Sequence, residues 1–143
     1  MSKGNTFEND LMKLIFNATA IANIADNAAS SPLTNLYVSL HTADPGEGGD
    51  QTTSEATYTS YARVAVARSG SGWTVTGNQA ENANLVQFPQ CTGGSNTLTY
   101  VGVGTASTLA GKLLYSGALT ASLAVSSGIQ PQFAAGSLVV SED

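Results

Sequence analysis

The sequence predicts a mainly β fold, an antiparallel β-sandwich preceded by a single N-terminal helix. Two observations lead to this class. From Leu36 onward, apolar and polar residues alternate with a period of two in many short runs. Clusters of Gly, Ser and Asn separate these runs, as at residues 70–72, 77–78 and 93–96, and such clusters are typical of turns. A jelly roll is one sandwich topology that fits this pattern.

The helix is predicted over residues 5–18. Its apolar residues recur at three- and four-residue steps and share one face: Phe7, Leu11, Leu14, Ile15 and Ala18. Asn5 is a favourable N-cap, and Glu8 three residues later completes a capping box. Residues of low helix propensity follow, so we expect the helix to fray or break between Asn17 and Asn27. This helix could pack on its own domain or dock on a partner protein.

The strands are short and closely spaced. They are predicted over residues 36–42, 58–68, 73–76, 83–88, 97–103, 112–116 and 138–141, with a weaker candidate at 123–125. The chain has 143 residues, enough for one domain with a core, since a chain of this size buries roughly 70% of its unfolded surface. We therefore expect a single domain over residues 1–143, with the sandwich over residues 36–143.

The amino-acid composition limits the classes of partner that the chain is expected to bind. Charged residues make up 10% of the chain, against roughly 25% in typical soluble domains. The formal net charge is −5, and the five Lys and Arg residues form no cluster, which disfavours nucleic acid as a partner. No apolar run reaches the roughly 18 residues of a membrane span, so no membrane contact is expected. A surface of short neutral polar side chains suits contact with another protein, because little charge is desolvated on docking.

Groups that could carry catalysis are sparse. His41 is the only histidine, and the sequence contains no Gly-x-Ser-x-Gly nucleophile motif, so we expect no enzyme activity and no cofactor. Cys91 is the only cysteine, which excludes an intramolecular disulfide. Trp73 is expected to anchor the core, although a sugar-binding surface formed by Trp73 with Tyr58, Tyr61 or Tyr100 would suit a carbohydrate-binding module.

The strand at residues 36–42 ends in an acidic, glycine-rich loop that turns at Asp44-Pro45-Gly46. Asp44, Glu47 and Asp50 could bind Ca²⁺ through oxygen ligands, but they lack the regular alternation of an EF-hand. A solvated turn, or one that meets basic residues of a partner, is the favoured interpretation. The candidate partner contacts are Phe7, Thr42, Asp44, Pro45, Gly46, Glu47, Asp50 and Glu55. Arg63, which lies among small residues, is expected to pair with Glu55 or Asp50.

Several segments together resemble a known family. The strand ends in Leu-His-Thr-Ala-Asp-Pro-Gly at residues 40–46, followed by Tyr-Ala-Arg-Val-Ala-Val at residues 61–66. Phe88-Pro89 and Leu-Leu-Tyr-Ser-Gly at residues 113–117 come next, before an apolar C-terminal strand. In this order, these segments resemble small virion proteins of tailed bacteriophages, which are labelled capsid decoration (cement) or tail and fibre proteins. The resemblance implies a structural role and supplies no catalytic residues.

Three hypotheses follow. The first is a structural protein on the outer capsid surface of the virion, made in the host cytoplasm, which stabilises the shell by bridging capsomers. Its partners would be the major capsid protein and copies of itself, as a homodimer or homotrimer. The second is a tail or fibre component that serves attachment. The third is a carbohydrate-binding module.

Overall fold

The computed structural model describes residues 5–21 and 32–142. Over these residues the chain forms one helix and nine strands. The helix is α1 (Asn5–Asn17), and the strands are β1 (Asn35–His41), β2 (Val64–Ala67), β3 (Trp73–Thr76), β4 (Gln79–Asn82), β5 (Val86–Gln87), β6 (Asn96–Gly104), β7 (Leu113–Val125), β8 (Gln132–Phe133) and β9 (Val139–Ser141). The mainly β class and the N-terminal helix are confirmed, and the antiparallel sheets are consistent with the expected β-sandwich.

The chain divides into two compact units, each made of segments that are distant in sequence. The first comprises residues 1–35, 66–86 and 133–143, and the second comprises residues 36–65 and 87–132. The expectation of a single domain stays a prediction.

In the first unit, α1 packs on the β3–β4 hairpin. Met12 and Phe16 on the inner face of the helix are fully buried, and the Phe16 ring lies 4.7 Å from the Trp73 ring in an edge-to-face arrangement. A two-residue turn joins the strands, and Gly77 at its first position has φ +61°, as a type II′ turn requires. β9 pairs with the other edge of β4. The buried face of the helix, Glu8, Met12 and Phe16, packs within its own unit. The predicted apolar stripe was therefore wrong, since none of its residues is buried: Phe7 and Ala18 are exposed, and Leu11, Leu14 and Ile15 are half-buried.

The strands β6 and β7 of the second unit belong to a four-stranded sheet with the order β2-β1-β6-β7. β1 and β6 pair antiparallel from Tyr37 opposite Gly104 to His41 opposite Tyr100. Apolar side chains of these two central strands are buried, among them Val38, Leu40, Leu98 and Val103. Among the described residues, β2 and β7 are the outermost strands of this sheet.

Two strand predictions were wrong in extent. The strand expected over residues 58–68 covers only β2, because Ser60 adopts φ +81° and Tyr61 turns inward. The Tyr61 hydroxyl accepts a hydrogen bond from the Leu40 amide and donates one to Glu55, so its side chain fixes a turn. The strand expected over residues 83–88 is reduced to β5, and residues 79–82 before it form β4, which was not predicted.

The predicted boundaries of the other helices and strands agree more closely with the structure. β3 has the predicted bounds, and the candidates at residues 112–116 and 123–125 join into the single strand β7. The β6–β7 ladder has two register shifts: Leu98 faces Leu123 whereas Tyr100 faces Ala118, and Val103 faces Tyr115 whereas Gly104 faces Leu113. The helix ends at Asn17, one residue before the predicted end, and Ala18 has φ +55°. The end at Asn17 falls at the start of the region, Asn17 to Asn27, where the helix was expected to fray or break, and residues 22–31 lie outside the described residues. None of the helices in the described segments has the length and apolarity needed to cross a membrane.

Candidate functional site

The loop between β1 and β2 and the start of β7 enclose an open groove of about 560 Å³ in the second unit. The groove is lined by Asp44, Gly46, Glu47 and Gly49 of the loop, by Tyr100 of β6 and by residues 113–116 of β7. The structure thus brings three predicted partner contacts, Asp44, Gly46 and Glu47, to one site. All three are exposed.

A buried hydrogen-bond chain fixes the base of this loop. His41 Nδ1 lies 2.8 Å from the Thr53 carbonyl oxygen, and His41 Nε2 lies 2.9 Å from Ser39 Oγ. A carbonyl oxygen can only accept, so Nδ1 carries the proton and Nε2 accepts from the Ser39 hydroxyl. Burial lowers the pKa of His41, which keeps the imidazole neutral. Both side chains are fully buried, so this Ser–His pair ties β1 to the loop and offers no open nucleophile.

Gln51 forms a second buried anchor. Its Oε1 accepts a hydrogen bond from the Ala106 amide at 2.9 Å, and its backbone amide donates to the Ala110 carbonyl at 2.9 Å. The side chain lies against Gly104, where an added Cβ would come within 2.2 Å of Gln51 Cδ. Glycine at this position is therefore required by the close approach of Gln51.

The third anchor is an ion pair. Arg63 Nε and Nη2 donate to the two oxygens of Glu55 at 2.7 and 2.8 Å, a bidentate geometry. The same guanidinium donates to the carbonyls of Ala106 and Leu109, both at distances of 2.8–2.9 Å. The Arg63 side chain is 2% exposed, and its pKa is raised, chiefly by the hydrogen bond to Glu55. The expectation that Arg63 pairs with a nearby carboxylate is confirmed, and the partner is Glu55.

The acidic side chains do not form a calcium site. Asp44 accepts from the Gly46 amide, and Asp50 accepts from the Thr52 amide and hydroxyl, so each carboxylate stabilises its own turn. These hydrogen bonds lower the pKa of Asp50, and the bond from the Thr52 hydroxyl has the largest effect. Within residues 5–21 and 32–142, no group of three or more His, Cys, Asp or Glu side chains is placed to hold a metal ion.

The other predicted contacts lie elsewhere. Pro45 is buried, Thr42 is bonded to Ser54, and the Glu55 carboxylate is committed to Arg63, so these three serve the loop itself. Asp50 is half-buried outside the groove lining, and Phe7 lies on α1 in the first unit, with 40% of its surface exposed. Trp73 is fully buried against Phe16, as expected of a core anchor, and cannot stack on a sugar.

The sequence did not reveal Gln51 as an anchor or residues 113–116 as a wall of the groove. The β6–β7 register places Ser116 opposite Gly102, and this pairing of distant segments cannot be read from periodicity. A glycine at residue 104, at the end of a strand of apolar residues, was the one signal of a close approach.

Comparison with known proteins connects this fold to a family. A family model described as podophage GP4 fiber I protein gp80 matches residues 3–141. A comparison with curated proteins found no match. The family match covers nearly the whole chain and agrees with the expectation of a tailed-phage virion protein. The chain belongs to the podophage GP4 fiber I protein gp80 family and is a bacteriophage structural protein.

Proposed function

We propose that this protein is a structural component of the tail or fibre of a tailed-phage virion and acts by binding neighbouring virion proteins. The observation that carries this proposal is the family match over residues 3–141, because the family is described as a fibre protein. This supports the second hypothesis from the sequence more directly than the first, decoration of the capsid. Decoration of the capsid stays the alternative, and the experiment below distinguishes it from a role in the tail or fibre.

The geometry supports a binding role. The loop that lines the groove is held by hydrogen bonds of His41 and Gln51 and by the Arg63–Glu55 ion pair. A loop that is already ordered loses little conformational entropy when a partner binds, so more of the contact energy appears as affinity. Its surface side presents glycine and two carboxylates, which offer hydrogen-bond and charge contacts without a reactive group.

The buried position of the Ser39–His41 pair supports a non-enzymatic function. Both residues have no exposed surface, and an added Cβ at Gly102 would lie 2.8 Å from His41 Nε2 and from Ser39 Oγ. There is no space beside Nε2 for a substrate atom, and general-base catalysis requires the base to reach the proton it removes.

Copy number and position in the particle test the proposal. Quantitative mass spectrometry of purified virions should give a small multiple of three or six copies, as expected for a tail assembly of that symmetry. Gold-labelled antibodies against the protein should mark the tail in electron micrographs. Hundreds of copies with gold over the head would instead support capsid decoration and overturn the proposal.

A deletion phage separates the two roles functionally. Particles that lack the protein should keep their DNA on heating as intact particles do, but adsorb to host cells more slowly. Heads that release DNA at a lower temperature, with unchanged adsorption, would assign the protein to the shell.

A further inference from the structure

The loop between β6 and β7, residues 105–112, presents an exposed leucine. Leu109 has 81% of its surface exposed, the highest value among the exposed large apolar side chains of the described residues. Its φ is +64°, in the left-handed region that bulky side chains rarely adopt. Backbone strain of this kind is found where the position of a side chain serves a function. An exposed leucine held in a strained backbone is therefore a candidate contact for a partner.

Two buried side chains hold this loop in place. The Arg63 guanidinium donates to the carbonyls of Ala106 and Leu109 at 2.9 and 2.8 Å. Gln51 accepts from the Ala106 amide through Oε1 and donates to the Ala110 carbonyl through its backbone amide, both at 2.9 Å. These hydrogen bonds hold the backbone on both sides of Leu109. The loop therefore loses little backbone entropy when a partner binds to it.

The exposed part of the loop combines an apolar and a cationic side chain. Residues 107–112, Ser-Thr-Leu-Ala-Gly-Lys, are all exposed, and Lys112 is the only charged residue among them. Two hydrogen bonds between Thr105 and Lys112 close the base of the loop. A partner that covers this loop should therefore offer an apolar recess for the leucine and a negative charge for the lysine.

The groove of the same chain offers both properties. Its lining includes apolar and aromatic residues, namely Tyr100, Leu113, Leu114 and Tyr115. Asp44 and Glu47 are exposed, and they are the only charged residues among those described in the lining. The groove volume of about 560 Å³ is in the range of specific ligand sites. Each copy of the chain thus carries a protruding loop and a groove of complementary chemistry.

We propose that the chain associates with itself: Leu109 of one copy inserts into the groove of a second copy, where Lys112 pairs with the carboxylates of Asp44 and Glu47. Self-association goes beyond the proposed function, because it does not depend on the position of the protein in the virion. The net charge of −5 opposes it, but at physiological ionic strength exposed charges are screened beyond about 8 Å. The contact itself brings opposite charges together, so a second copy is a complementary occupant of the groove.

Sedimentation velocity of the purified full-length chain over a range of concentrations tests self-association. The wild-type chain should form an oligomer, and Leu109→Ser should raise the Kd of self-association at least about tenfold, because the burial of a leucine side chain is lost. Leu85→Ser, the same substitution at a leucine of the first unit that is 52% exposed, should leave the Kd unchanged. A wild-type chain that stays monomeric at every concentration, or an oligomer that Leu109→Ser does not weaken, would overturn the proposal.

An exchange of charges tests the pairing of Lys112 with the groove. Lys112→Glu and Glu47→Lys should each weaken self-association, because each places like charges together. The chain that carries both substitutions should associate more tightly than either single variant, since the opposite charges are restored. Lys13→Glu on α1, a charge change equal to that of Lys112→Glu, should have no effect. A double variant that associates no more tightly than the single variants would contradict the pairing.

Mixing two variants tests whether the loop of one copy meets the groove of another. Leu109→Ser removes the inserted side chain and keeps the groove, whereas Ser116→Trp fills the groove and keeps the loop. The mixture should associate more tightly than either variant alone, because the intact loop of one meets the intact groove of the other. Circular dichroism checks that both variants are folded. A mixture that associates no better than the separate variants would show that the loop does not enter the groove.

Hydrogen–deuterium exchange of the wild-type chain needs no substitution. Raising the protein concentration should slow exchange in residues 107–116, which include the loop and the part of β7 that lines the groove. Exchange that is unchanged in these residues while an oligomer forms would overturn the proposal. None of these results depends on whether the protein lies in the tail or on the head, so the proposed function is tested separately.

Discussion

His41 is neutral in the fold because burial lowers its pKa from 6.5, while one ring nitrogen donates to Thr53 and the other accepts from Ser39. In the unfolded chain, the imidazole takes up a proton as the pH falls through about 6.5. The stabilisation from the neutral form is thus fully present above this pH and is lost as the pH falls toward the lower pKa of the folded state.

We therefore predict that the free energy of unfolding in urea decreases between about pH 7.5 and about pH 5.5. This interval avoids most carboxylate titration, and His41 is the only histidine. The variant His41→Asn should be less stable at neutral pH and nearly independent of pH over the interval. An equal decrease in the wild type and the variant would assign the effect to other groups.

The ion pair of Glu55 with Arg63 is the most buried charge contact described in the second unit, with the side chains 16% and 2% exposed. Glu55→Gln keeps the shape but leaves the Arg63 charge unpaired, and we predict a loss of about 3 kcal/mol in the free energy of unfolding. Chemical denaturation measures this loss. Glu81→Gln, at an exposed carboxylate, should change stability by less than about 0.5 kcal/mol. Equal effects of the two substitutions would show that the pair contributes no specific stability.

Gly104 permits the close approach of Gln51 to the sheet. A methyl group there would lie 2.2 Å from Gln51 Cδ, so Gly104→Ala should destabilise the fold by about 1–3 kcal/mol. Thermal denaturation provides the measurement. Gly117→Ala on β7 is the matched control, because an added Cβ there has no atom within 4 Å, and it should be nearly neutral. A neutral Gly104→Ala would mean that Gln51 is not packed as described.

At the scale of elements, Arg68 ties β2 to the end of α1. Its Nε donates to the Ile15 carbonyl at 2.6 Å and its Nη2 to the Leu14 carbonyl at 2.5 Å, and both acceptors lie in the last turn of the helix. A cation at a helix C-terminus also interacts favourably with the helix dipole.

Arg68→Ala should accordingly lower the free energy of unfolding by about 1.5–3 kcal/mol, the range for hydrogen bonds to a charged group. Amide hydrogen exchange in α1 should accelerate as well. Lys13→Ala removes a positive charge from the same helix and should have a much smaller effect. If both variants exchange equally fast in α1, Arg68 does not anchor the helix.

The periodicity of the sequence was sufficient to predict the positions of most helices and strands, but it was not sufficient to predict the groove. The alternation in β1, β3 and β6 and the helical stripe of α1 are local patterns, and local patterns predicted their positions to within one residue. The turn at Tyr61 was missed because it depends on hydrogen bonds to Leu40 and Glu55, which are set by tertiary packing. The acidic loop was predicted to contact a partner, but the sequence did not show that the groove it lines also includes residues of β7, more than sixty residues later.

At the scale of the whole molecule, the low charge and the hydrogen-bonded loop are consistent with a protein that works by adhesion. Short neutral side chains cost little to desolvate when a partner binds. The chain belongs to a podophage fibre-protein family, which supports the proposal that it is a structural part of the tail or fibre.

A density map of the intact virion tests this central claim most directly. We predict density for the helix and the sheets of this chain within the tail or its fibres. Density for the chain over the head, at the junctions between capsomers, would contradict it.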